Sequence, residues 1–339
     1  MPVITRPGED GRTDADALPR EAAIAGAHSR ARAPESGQYP SPAASLPATL
    51  PAAPTPWRAA EHGGVRLDRE EMYRYLGHTG QHLEPELAAR IEAIAAGVES
   101  DLAPRGAWGV FPVIASTGSG EVSPSDAGAA NPRPVPPERE GAGAPHASVA
   151  AGADSAPEGM PHIRLGGTTV VLSGRDIFRH LKDARWAAVI TCTLGHESER
   201  MLRLAGSRRP FEGAVLDAAC SAYAEAAAEA MDNLVSDRAR DAGLFTTWRF
   251  SPGYGDLPLD AQPALLAAVN AGRLCGITTT PANLLMPTKS ITAIIGIFDQ
   301  EPTRAGMRGC AACRLRTGCS FRARGATCYR QEDLHAPGT

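Results

Sequence analysis

The sequence has no apolar run long enough to cross a membrane. The longest, ITAIIGIF at Ile291 to Phe298, falls far short of the roughly 20 residues a spanning helix needs. The N-terminus has no charged segment followed by an apolar one, so the chain is predicted to be cytoplasmic, with no membrane partner. No basic cluster is interleaved with aromatics and the formal charge is −4, which argues against nucleic acid. There is no repeat of fixed period, no GxGxxG and no phosphate loop, which removes solenoids and the common nucleotide-binding folds. His196 follows a buried strand with no nucleophile and acid placed to complete a triad.

Large apolar residues are almost missing from two tracts, 1–56 and 114–161. Both are rich in Ala, Pro, Ser and Gly, and such segments bury too little surface to offset chain entropy. They are predicted to be a disordered tail and a disordered linker. What remains is a helical segment at 57–113, a core at 162–305 and a cysteine-rich tail at 306–339.

In LDREEMYRYLG, Asp68 stands three residues before Glu71 and Gly77 closes a short helix. In PELAARIEAIAAGVESDL, Leu87, Ile91, Ile94, Val98 and Leu102 recur at spacings of three and four, one apolar helical face. GVFPV reads as a first strand. HIRLGGTTVVLSG reads as a hairpin about Gly166-Gly167, followed by a helix with Ser173 and Asp176 in cap positions. AAVITCTLG is a buried strand, 211–240 a long alanine-rich helix, QPALLAAVN a helix and SITAIIGIF a final strand. Hairpins and helices without a βαβ rhythm predict an α+β fold.

Four groups of residues carry chemistry. RFSPGYGD places Arg249 before a bend that Pro252-Gly253 sets, with Tyr254 beyond it. A guanidinium fork suits a carboxylate and a tyrosine adds a flat face with a hydroxyl, a pairing that fits a small zwitterion; the same residues also suit an ordinary surface turn. Ser221, Glu225 and Glu229 repeat at i, i+4 on one face of the alanine helix, either as its solvated side or as a contact for an amine, hydroxyl or cation. Lys289, between Pro287 and the last strand, reads as a polar strand entrance or as a group facing an anion. Of the seven cysteines, Cys310, Cys313, Cys319 and Cys328 crowd the tail. They can hold zinc or an iron–sulfur cluster, or remain reduced thiols or a redox pair.

Thr193 in TLG, AYAEAAAEAMD, RFSPGYGD, GITTT and MPTKSITAIIGI, in that order, resemble the activation domain of cobalamin-dependent methionine synthase, above all its stand-alone form. RYLGHTG at Arg74 to Gly80 resembles a segment near the start of stand-alone members. The resemblance spans nearly all of the chain predicted to fold. It implies a twisted antiparallel sheet flanked by helices, with S-adenosylmethionine as ligand. Arg249 would bind the ligand's carboxylate, Tyr254 and Gly253 would position it, Ser251 would offer backbone contacts, and Glu225 would be the acidic contact with Glu229 its alternative. An aspartate that contacts the ligand in the fused form has no counterpart near RYLGHTG. The implied task is reductive methylation of cob(II)alamin to methylcobalamin on a separate, cobalamin-binding methionine synthase chain, with a flavodoxin-like or ferredoxin-like electron donor. Two other readings stay open: a metal or redox adaptor built on the cysteine tail, and an activator of another corrinoid methyltransferase.

Overall fold

The computed structural model describes residues 45–78, 80–117, 160–302 and 318. Its strands are β1 (Thr55–Arg58), β2 (Arg105–Ser116), β3 (His162–Leu165), β4 (Val171–Ser173), β5 (Trp186–Thr193), β6 (Phe245–Thr246), β7 (Thr278–Thr279), β8 (Leu285–Met286) and β9 (Ser290–Phe298). Seven of them form one sheet in the order β4-β3-β2-β5-β9-β6, with β1 also on β2, while β7 and β8 pair separately. Every pairing is antiparallel, which makes the fold α+β as the sequence predicts. The expected β3–β4 hairpin forms, with His162 opposite Ser173.

The helices are α1 (Arg69–Tyr75), α2 (Pro85–Asp101), α3 (Arg175–Leu181), α4 (His196–Arg208), α5 (Pro210–Arg240), α6 (Gln262–Ala268) and α7 (Ala271–Leu274). Alternation along β5 sends Ala187 and Val189 to one face of the sheet and Ala188, Ile190 and Cys192 to the other. The first face is closed by α3 and α6 through Ile177, Leu181, Leu265 and Leu266. The second is closed by the C-terminal half of α5 through Ala227, Ala228, Met231 and Val235. The N-terminal half of α5 packs instead on α1 and α2, against Met72, Ile91, Ala95 and Val98. At 31 residues, α5 is about 46 Å long, enough to reach from the sheet to the small helical layer. Among the described residues, no helix is long and apolar enough to cross a membrane.

Three details differ from the sequence reading. The packed chain starts before Trp57: Leu50 is already buried and β1 opens at Thr55. The 57–113 segment is more than helical, because it supplies β1 and most of β2, a strand that runs on to Ser116 and is paired on both edges. And α3 is capped neither by Ser173 nor by Asp176. Its N-cap is Gly174, and the free amides of Arg175 and Asp176 donate instead to the Asp256 carboxylate, at 2.7 and 2.9 Å. A distant side chain thus does what a local one does at α1, where Asp68 accepts from the Glu71 amide at 3.1 Å.

Strand β2 also passes very close to β5. A Cβ at Gly106 would collide with the Thr191 carbonyl oxygen and lie 2.9 Å from Met231 Sδ, whereas a Cβ at Gly97 in α2 would meet nothing within 4 Å. Gly106→Ala is expected to destabilise the protein by about 3 kcal/mol, and Gly97→Ala to stabilise it by about 0.5–1 kcal/mol. Urea unfolding of the two variants checks both signs.

Candidate functional site

The turn RFSPGYGD follows β6 and runs beside β9, where Phe250 and Ile294 exchange backbone hydrogen bonds of 2.9 and 2.8 Å. Alternation along this stretch divides its side chains. Trp248 and Phe250 enter the aromatic group around His180 of α3, while Arg249 points across the other face of the sheet to α5. The chain then makes two consecutive turns. The Tyr254 amide donates to the Ser251 carbonyl at 3.1 Å around Pro252 and Gly253, the latter at φ +92°, and the Leu257 amide donates to the Tyr254 carbonyl at 3.1 Å. The Gly253 amide closes the loop onto the Leu257 carbonyl at 2.8 Å. Leu257 is buried, so the loop is anchored at both ends and Tyr254 stands at its apex, 66% exposed.

Arg249 is covered by protein, with 21% of its side chain exposed. Its Nη1 lies 3.4 Å from Glu225, its Nη2 3.1 Å from Glu229 and its Nε 3.4 Å from Asp232. These carboxylates stand at i, i+4 and i+7 on α5, the spacing that puts them on one helical face. They differ in freedom: Asp232 is 14% exposed, Glu225 42% and Glu229 60%. Burial alone would lower the Arg249 pKa, but Glu225, Asp232 and Glu229 outweigh it and raise it, so the cation is permanent.

Lys289 reaches the same helix two turns earlier. Its ammonium lies 2.8 Å from Asp217 Oδ1 and donates to Ser221 Oγ at 2.8 Å, with 14% of its side chain exposed. Ser221 in turn donates to the Asp217 carbonyl at 2.9 Å. One polar stripe therefore runs along α5 from Asp217 through Ser221, Glu225 and Glu229 to Asp232, with Lys289 at one end and Arg249 at the other. From the side, α1 contributes Tyr75, whose phenol pKa is raised by burial first and then by Glu225 and Glu71. The ring of Tyr75 lies under the Arg74 guanidinium, 5.0 Å from it.

The structure thus brings Arg249, Glu225 and Glu229 together, sets Ser251, Gly253 and Tyr254 on the adjoining turn, and holds Lys289 farther along the stripe. The α5 alanines pack the helix in place. Ala222, Ala227 and Ala228 are fully buried against sheet and helices, and the open side of α5 is the polar one. Asp217 and Asp232 were missed, although extending the i, i+4, i+7 series in both directions finds them. Tyr75 and Asp256 carry no signal of spacing, since they come from other elements. Cys310, Cys313, Cys319 and Cys328 lie outside the described residues. Among the described residues, no group of three or more His, Cys, Asp and Glu is arranged to hold a metal ion. Two surface depressions lie elsewhere, one by Pro112 and the Gly166-Gly167 turn and the other by Asn270 and Thr279, and neither includes a residue of the α5 stripe.

No family model matches the sequence. No curated protein matches it either. Among solved structures, the chain is similar to a crystal structure of the MetH reactivation domain bound to AdoHcy. The two are 12% identical, the match covers 82% of this chain and 88% of that one, and the TM-score is 0.45.

Three described cysteines are buried near the sheet and helices: Cys192, Cys220 and Cys275. Burial pushes their thiols up to about 12, about 12 and about 11. Unfolded thiols titrate near about 8.5. The stability these neutral thiols contribute is therefore complete below about pH 8.5 and is lost as pH rises through the folded values. Two outcomes are expected. Unfolding free energy from urea titration falls between about pH 8.5 and 10, less steeply in Cys192→Ala. Site-resolved mass spectrometry finds all three thiols unalkylated in the native protein at neutral pH.

Proposed function

We propose that the chain binds S-adenosylmethionine along the Arg249 stripe and acts as the reactivation component of a separate cobalamin-dependent methionine synthase chain. The motif order supports this reading, and one observation carries it: a covered guanidinium whose inner edge is held by Asp232 while its outer edge faces the freer Glu225 and Glu229, beside the exposed Tyr254. An amino acid zwitterion can enter such an ion pair without changing its net charge. Its carboxylate takes the two outer N–H groups of Arg249, its ammonium takes the carboxylate of Glu225 or Glu229, and Asp232 keeps the guanidinium in place.

Net charge narrows the ligand further. Asp217, Glu225, Glu229 and Asp232 outnumber Arg249 and Lys289 by two, four against two. A ligand with one positive charge beyond its zwitterion suits that excess better than a neutral one. S-adenosylmethionine supplies a methyl group activated as a sulfonium, and that sulfonium is the additional charge. The chain's own residues bind and orient, and none has to move a proton. Holding the donor still favours its encounter with a scarce reduced corrinoid. The partners in this reading are the cobalamin-binding chain, whose cob(II)alamin is the substrate, and a flavodoxin-like or ferredoxin-like electron donor.

Calorimetric titration with S-adenosylmethionine tests the ligand. Wild type should bind saturably, and Arg249→Ala should weaken binding by about 1.5–3 kcal/mol, the range of a charge-assisted hydrogen bond. Tyr254→Ala serves as a second variant outside the ion-pair cluster. S-adenosylhomocysteine, lacking the sulfonium charge, should bind more weakly, and the gap should shrink in Glu229→Gln. Folded wild type that binds neither ligand overturns the reading.

A further inference from the structure

Asp256 ends the RFSPGYGD motif and points away from the polar stripe, toward α3. Its Oδ2 accepts from the Arg175 amide at 2.7 Å and its Oδ1 from the Asp176 amide at 2.9 Å, in a helix whose own N-cap residue makes no side-chain bond. The two segments are built to meet. A Cβ at Gly174 would lie 2.6 Å from Asp256 Oδ1, and a Cβ at Gly255 would lie 2.6 Å from Asp176 Oδ2, so each chain has a glycine where the other's carboxylate sits. Both glycines are at positive φ, +144° and +54°.

The other end of α3 grips the same segment upstream of the turn. His180 Nε2 is hydrogen-bonded to Thr247 Oγ1 at 3.1 Å, and its ring meets Trp248 edge-on at 4.7 Å between centroids and lies 5.3 Å from Phe250. Between these two grips lie Arg249, facing α5, and Tyr254, at the apex. Helix α3 is itself fixed in the core by Ile177 and Leu181.

We infer that α3 splints the 247–256 segment, and that Asp256 is a positioning residue which holds Tyr254 in place for the ligand. Asp256 holds the Arg175 and Asp176 amides behind the turn and acts through Tyr254. This inference rests on the ligand reading above for its binding assay, while its structural half is measured without ligand.

The test is a double-mutant cycle on S-adenosylmethionine affinity with wild type, Asp256→Asn, Tyr254→Ala and the double variant, each shown to be folded by circular dichroism and urea unfolding. Asp256→Asn should weaken binding about 3- to 30-fold, the range of a lost helix cap, and Asp256→Glu should recover part of it. In the Tyr254→Ala background the Asp256 substitution should cost almost nothing more, because the group it positions is gone. Hydrogen exchange should show the Arg175, Asp176 and Tyr254 amides opening faster in Asp256→Asn, with β5 unchanged. Wild-type affinity in folded Asp256→Asn overturns the splint and leaves the ligand reading standing, as do losses that simply add in the double variant. If wild type binds no ligand, the reading of function fails, and hydrogen exchange alone decides the splint: an unaltered Tyr254 amide overturns it. Should Asp256→Asn not fold, wild-type exchange decides. Arg175, Asp176 and Tyr254 should open with one common free energy, and independent opening overturns the inference.

Discussion

A guanidinium removed from most of its water has to be met by negative charge, and at Arg249 that charge comes from three carboxylates of a single helix. This cluster sets the position of the 245–257 segment against α5. It also divides the work of the segment's side chains by strand alternation: the charge on one face, Trp248 and Phe250 in the core on the other. Without the acidic stripe the arginine would have no stable place between sheet and helix. Without the arginine, Asp232 would lose the counter-ion that lies 3.4 Å from it at a nearly closed position.

The stripe can do this because α5 lies close to its neighbours. Small residues at 218, 219, 222, 224, 227 and 228 are all buried, and the Cys192 thiol of β5 lies 3.8 Å from the Ala224 carbonyl. A helix packed by alanines keeps its polar side near the sheet's edge, within reach of a side chain from the far end of β6. The same helix joins two layers, since its first half closes the α1–α2 group and its second half closes the sheet. The stripe lies open along this junction. Lys289, at the start of β9, ties the junction from the opposite end through Asp217 and Ser221.

Much of this was legible in the chain. The capped α1, the apolar series of α2, the Gly166-Gly167 hairpin, the buried β5 and β9 and the long α5 all follow from local patterns, because each pattern reports a period or a turn that neighbouring residues enforce. The Pro252-Gly253 bend was equally plain, and it forms as expected. Less was visible in the arrangement of charge. Arg249 and Glu225 each stood out as charged groups of one sign, but not as one another's partners. The cap of α3 was assigned to Ser173 and Asp176 from proximity in sequence, whereas it comes from a residue 80 positions away.

Much of the local order was therefore determined by the sequence itself: where several of the longer strands and helices form, which of their faces are apolar, where the bend at Tyr254 falls, and that one helix carries acid at regular spacing. Those are properties of a few successive residues and their backbone preferences. Only the tertiary structure decided which charge meets which, that Asp256 caps α3 rather than facing a ligand, and that Tyr75 of α1 comes near the stripe. The reason is physical. Pairing between groups tens or hundreds of residues apart depends on sheet register and on the depth of helix packing, and both are set by the burial of the whole core rather than by any one segment.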